Sequence, residues 1–221
     1  MNKTDLLPGD ILLLVDEPTN TTTTHKLIKT GQKMVPGLQG ASELVHAVIW
    51  VRDPTNAEPW EIAEASGSGR VRVTSLRQGL YRIYRPADTN LSDWAAQVAM
   101  MWAAQGEMVG PDTVGGNVIG YSKPTSVFSI VHSKKLGSSG SGRAVLYAKD
   151  AFSNSPEWGP GGAFCSQFVI ACYQAAAGNL GVNLTGFLAT DAKHCSVRAL
   201  EHQMLTDTGV VQRTGTDLRI S

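Results

Sequence analysis

An apolar, β-branched run, Leu44-Val45-His46-Ala47-Val48-Ile49-Trp50-Val51, is broken by a single imidazole. A run of this length and composition, followed by the turn-forming Asp53-Pro54-Thr55-Asn56, reads as a buried strand rather than a helix. Trp60 to Ala65 then resumes an extended pattern, so the pair reads as an antiparallel hairpin. A turn centred on Thr55 sets Trp50 opposite Trp60, Val48 opposite Ile62 and His46 opposite Glu64. Directly opposed side chains share a face, with Cβ atoms roughly 4.5–5.5 Å apart. That register places an imidazole beside a carboxylate, an arrangement that fixes the histidine tautomer and stabilises imidazolium. A slip of one residue would destroy the pairing. Glu61 is the rival carboxylate and points the other way on the same strand. The bland alternatives are a satisfied core histidine at His46 and a solvent-facing strand residue at Glu64.

Other short strands surround this hairpin. Pro8-Gly9-Asp10 is a turn leading into Ile11 to Val15, a buried strand. Arg70 to Val73 and Tyr81 to Tyr84 alternate polar with apolar residues, as half-exposed strands do. Lys26 to Met34 reads as a short helix after a threonine-rich turn region. Beyond Pro86 the period changes. Leu91-Ser92-Asp93-Trp94 opens a helix to about Gln105, with Trp94, Val98, Met101 and Trp102 on one face. Residues 106–160 are rich in Gly, Ser and Pro, and Gly137 to Gly142 has a linker's composition. Phe164 to Ala177 is the strongest helical segment, closed by Gly178-Asn179, and a last helix runs from about Ser196 to Leu205. There is no internal repeat.

Cys165 follows Gly161-Gly162-Ala163-Phe164 and falls in the first turn of that strong helix. There the unsatisfied N–H groups and the helix dipole favour thiolate, the nucleophilic form, and a nearby imidazolium favours it further. Against this stands the usual role of a free cysteine as a small buried hydrophobe. That role fits Cys172, which lies mid-helix among Ile170, Ala171 and Tyr173. Cys195 reads as a cap-region residue that the adjacent His194 cannot easily serve as a base. His25, His132 and His202 stand in polar or loop contexts with no partner in view, as surface residues do.

Composition excludes several classes. Apolar residues are 42% and charged residues 17% of 221, a globular balance. Lys+Arg and Asp+Glu are 19 each, which gives no electrostatic reason to expect a nucleic-acid partner. Three cysteines without a CxxC indicate neither a disulfide framework nor a zinc site. No run approaches the ~20 apolar residues of a membrane span. The first residues lack the apolar core of a signal peptide, so the expectation is synthesis in the cytosol and, for any export, a route that reads no N-terminal signal.

Taken in order, these segments resemble the circularly permuted NlpC/P60 superfamily, the papain-like group that includes YiiX-type and lecithin:retinol acyltransferase-like proteins. The resemblance rests on Pro8-Gly9-Asp10-Ile11-Leu12, His46-Ala47-Val48-Ile49-Trp50, Ile62-Ala63-Glu64-Ala65 and Phe164-Cys165-Ser166-Gln167-Phe168-Val169. Val71 to Leu76, Tyr81 to Pro86 and Ser196 to Leu200 add to it. It implies an α+β, papain-like fold over residues 1–221 as a single domain: an antiparallel sheet or barrel packed against helices, with the nucleophile starting a late helix. The region at about 106–160 would be an insertion or long loop, and exceeds what compact relatives carry. Gln167 stands where many relatives have glutamate.

The resemblance also carries roles: Cys165 as nucleophile, His46 as general base, Glu64 as the residue that orients His46, and Tyr121 as a cleft-lining residue. It implies no cofactor and no metal. Its commonest substrate is an amide bond in bacterial cell-wall peptide. Combined with the missing signal peptide, this suggests an antibacterial effector exported by contact-dependent secretion machinery, with an immunity protein as partner. Two competing readings remain at this point: a lipid-directed thioesterase or acyltransferase, and a non-catalytic binding module of the same fold.

Overall fold

A computed structural model describes residues 2–17, 25, 26, 28, 29, 43–52, 61–66, 70–108 and 163–221. It is an α+β arrangement in which one antiparallel sheet packs against three helices. The strands are β1 (Ile11–Val15), β2 (Leu44–Trp50), β3 (Ile62–Ser66), β4 (Arg70–Thr74), β5 (Gly79–Pro86), β6 (Val211–Arg213) and β7 (Leu218–Ile220). Their order is β4-β3-β2-β1-β5-β6, with β7 on β5 as well. β6 pairs with Tyr84–Pro86 and β7 with Gly79–Tyr81, so the two short strands share the outer side of β5. That side and β4 are the opposite edges of the sheet, which is open rather than closed into the barrel that was one of the two expected forms.

The helices are α1 (Thr89–Met108), α2 (Cys165–Leu180) and α3 (Val197–Thr206). Thr89–Met108 begins two residues before the expected start, because Asp88 Oδ1 accepts from the Asn90 and Leu91 N–H groups at 2.9 and 3.2 Å. Its expected stripe faces inward: Val98 and Trp102 are buried, and Trp94 and Met101 pack partly against the core. α2 is buried along Cys165 to Ala177 without a polar face, which makes it the central helix. It runs through Gly178 and Asn179 and is closed by Gly181, whose φ of 67° supplies the left-handed cap expected three residues earlier. Ser196 caps α3 by accepting from the Ala199 N–H at 3.2 Å. Residues 25, 26, 28 and 29 are helical, starting one residue before the helix expected over Lys26 to Met34, and residues 27 and 30–34 lie outside those described.

Odd-numbered residues of β2 and β3 (Ala47, Ile49, Ala63, Ala65) face the helices in one large core. Even-numbered residues (Val48, Trp50, Ile62) join Leu12, Tyr81 and Ile83 in a smaller core on the other face. The opening turn is fixed to both layers. Asp10 receives the fork of Arg85, Nε at 2.8 Å and Nη2 at 2.7 Å, while the Tyr173 hydroxyl of α2 donates to the Gly9 carbonyl. Gly9 has a φ of 84°, and a Cβ there would lie 2.4–2.6 Å from the Ser92 backbone.

The hairpin register differs from the expected one. Ile49 pairs with Ala63 and Trp50 with Ile62, a displacement of two residues. Val51 N–H donates to Glu61 O at 2.9 Å, which leaves residues 52–60 as a connection longer than the assumed four-residue turn. The turn at 53–56 and Trp60 lie outside the described residues. Faces alternate with a period of two, so this displacement keeps every side chain on its expected face. His46 and Glu64 become diagonal neighbours instead of direct opposites.

Candidate active site

The β2–β3 ladder ends at Ile49 and Ala63, and His46 and Glu64 lie just beyond it. Diagonal positions are within reach when one side chain is long, and Glu64 spans the gap: its Oε2 lies 2.7 Å from His46 Nε2. The second glutamate oxygen is taken entirely by guanidinium groups. Arg72 Nε and Nη2 donate to Oε1 at 3.1 and 2.9 Å, and Arg77 Nη2 donates to it at 2.5 Å. Arg72 faces Glu64 across the β3–β4 ladder, and Arg77 comes from the connection to β5. Burial opposes charge on Glu64, but the His46 hydrogen bond and charge, then Arg77 and Arg72, outweigh it and hold its carboxyl down at about 2.

Cys165 stands beside His46 at the start of β2, where the ladder to β1 skips Val45, Leu44 and Val45 both enter the helix-side core, and the alternation of faces breaks. Cys165 is the first residue of α2, preceded by Phe164, whose side chain offers no cap to the first-turn N–H groups. Burial lowers the basicity of His46; the charge and hydrogen bond of Cys165, and then those of Glu64, reverse this and raise it to about 9. With Nε2 bonded to Glu64, Nδ1 is the ring nitrogen left for the thiol. The imidazole therefore joins Cys165 of α2 to Glu64 of β3, with only 14% of its side chain exposed.

The other cysteines differ. Cys172 and Cys195 are fully buried, and burial pushes both thiols well up. All three cysteines are free. Glu61, the rival carboxylate, is bound elsewhere: Lys3 Nζ at 2.8–2.9 Å, the Leu76 N–H at 2.8 Å and Arg52 Nη1 at 3.6 Å. His194 Nδ1 lies 2.8 Å from Asp191. His25 does have a partner, contrary to expectation: its Nδ1 is 2.9 Å from the buried Asp16, which also receives Lys29 Nζ at 2.8 Å. Tyr121 and His132 lie outside the described residues.

Two contributions were missed in the sequence. Arg72 had a signal, because Gly67-Ser68-Gly69 between two strands sets Glu64 opposite Arg72; Arg77, from a connecting segment, had none. Residues 186–196 form the wall against α2: Ser166 Oγ donates to the Cys195 carbonyl at 2.5 Å, and Gln174 Nε2 donates to the Leu188 and Thr190 carbonyls at 2.9 and 2.7 Å. These polar positions on an otherwise apolar helix gave no sign of their targets.

Among the described residues, no group of three His, Cys, Asp or Glu side chains is placed to hold a metal ion. No described helix is long and apolar enough to cross a membrane. Searches against protein-family models, curated proteins and solved structures found no match for this chain.

Proposed function

We propose that the chain is a cysteine hydrolase that cleaves an amide through a thioester, with Cys165 as nucleophile, His46 as acid and base, and Glu64 orienting His46. The observation that carries this reading is the imidazole shared between a helix-start thiol and a buried carboxylate, at 2.7 Å from the latter. A core histidine can satisfy its two ring nitrogens with any polar partners; one held between a helix-start thiol and a carboxylate has the arrangement that activates a thiol nucleophile.

The thiolate Sγ attacks the carbonyl carbon, and the Cys165 N–H at the uncapped helix start is the donor for the oxyanion. His46 gives its Nδ1 proton to the leaving amine as the C–N bond breaks. Water then attacks the thioester carbon, His46 takes its proton, and the C–S bond breaks to release acid and thiolate. Glu64 keeps the imidazole oriented through both steps.

The papain-like, permuted NlpC/P60 fold and the substrate class come from the sequence resemblance. They make the amide one in bacterial cell-wall peptide and the setting that of an exported antibacterial effector with an immunity partner. Mass spectrometry of digested peptidoglycan, with phospholipid in parallel, tests this. New amine and carboxyl termini with wild type and none with Cys165→Ala are the expected result. An intact sacculus, or fatty acid released from phospholipid instead, overturns the substrate assignment.

A further inference from the structure

We propose that Arg72 and Arg77 are positioning residues that clamp Glu64 and thereby set the pH range over which His46 stays protonated. The inference rests on the reading of Cys165 and His46 as the reacting pair. Its geometric basis is the division of labour between the two carboxylate oxygens: all three guanidinium donors converge on Oε1, and Oε2 faces His46. A carboxylate free to rotate would present either oxygen to the ring; one saturated on Oε1 presents Oε2.

The clamp is electrostatic as well as steric. Counting Glu64 as −1 and the two guanidiniums as +2, the group behind His46 carries +1; the guanidiniums sit on Oε1, farther from the ring than Oε2, and offset part of the carboxylate's pull on imidazolium. Among the described residues, Cys165 from α2 and Glu64 from β3 act on the ring directly, Arg72 from β4 and Arg77 from the β4–β5 connection stand behind Glu64, and Tyr81 from β5 stands beside Arg77. Tyr81 is held neutral by burial and donates to the Arg77 carbonyl at 3.1 Å. On the β1 side His46 is flanked by the apolar Leu14. Removing one guanidinium therefore strengthens the field of Glu64 at the ring and moves His46 deprotonation to higher pH.

The Arg77 segment does not depend on its own side chain. The Leu76 N–H is bound by Glu61, Leu76 is buried, and the Arg77 carbonyl is held by Tyr81. The Arg77 side chain is 52% exposed, so Arg77→Gln tests charge with little loss of packing. Arg72→Gln is the second variant and should shift the site in the same direction.

The experiment is a ring-nitrogen NMR titration of His46 in wild type, Arg77→Gln, Arg77→Lys and Arg72→Gln. It is paired with the pH profile of kcat/KM on isolated cell-wall peptide. The expected result is an upward shift of the His46 midpoint by about half a unit to one unit in each Gln variant. The alkaline limb of the profile moves with it, and Arg77→Lys restores most of the wild-type value. Midpoints unchanged in both Gln variants overturn the proposal. The titration needs no turnover, so absence of cleavage by wild type would refute the hydrolase reading while leaving the clamp separately decided.

Discussion

Replacing Cys165 with alanine should change His46 more than any substitution of Arg72 or Arg77 behind Glu64. In the intact site His46 is raised to about 9, and Cys165 is the largest of the influences that raise it. A unit charge at roughly 4 Å and an effective dielectric constant near 20 is worth about 4 kcal/mol, or about three pKa units. The Glu64 hydrogen bond remains in the variant and contributes about 1.5–3 kcal/mol, while burial pulls the other way. The His46 midpoint should therefore fall by about two units or more, to about 7 or below. The sequence has five histidines. A long-range ¹H–¹⁵N correlation titration resolves them, with His46→Gln giving the assignment. A midpoint within about half a unit of wild type would show that the thiol exerts no charge on the ring, and the ion-pair argument would fall.

Glu64→Gln tests the other side of the imidazole. The folded-state value of Glu64 lies near 2, below its ordinary 4.5, so its contribution is present above pH 4.5 and lost as the pH falls toward 2. Wild type should lose about 3 kcal/mol across that window from this group, and the variant should lack that part of the acid transition, as measured by urea unfolding from pH 5 to 2. Equal acid sensitivity in the two proteins would contradict the assignment. Gly9→Ala forces a Cβ against the Ser92 backbone at a left-handed φ. It should cost about 2–4 kcal/mol in the same assay, and a loss under about 1 kcal/mol would refute the close-approach argument.

The hairpin shows how much of this site was legible in the sequence. The alternation of Ile62-Ala63-Glu64-Ala65 fixed which face each residue takes, and that survived a two-residue error in register because the period of a strand is two. The turn was the weak element, since a four-residue turn signal does not fix the length of the whole connection. Gly178-Asn179 carries the composition of a helix end, yet the alanines Ala175 to Ala177 favour helix and Leu180 packs partly against the core, so α2 runs on to Gly181. β6 and β7 are three residues each, too short for periodicity to register, and exist because β5 offers them an edge. His25 looked unpartnered because its carboxylate, Asp16, is supplied by the end of β1 nine residues earlier. Tertiary partners of this kind, Arg77 on Glu64 and Ser166 on the Cys195 carbonyl among them, leave no local pattern.

Cys165 should differ in kind from the two other thiols because His46 stands beside it. Peptide-mapped iodoacetamide labelling of the folded protein at pH 6.5, in wild type and His46→Ala, measures this directly. Cys165 should be alkylated in wild type while Cys172 and Cys195 are not, and the Cys165 rate should fall by at least about tenfold in His46→Ala. An unlabelled Cys165 in wild type, or the same rate in both proteins, would contradict it.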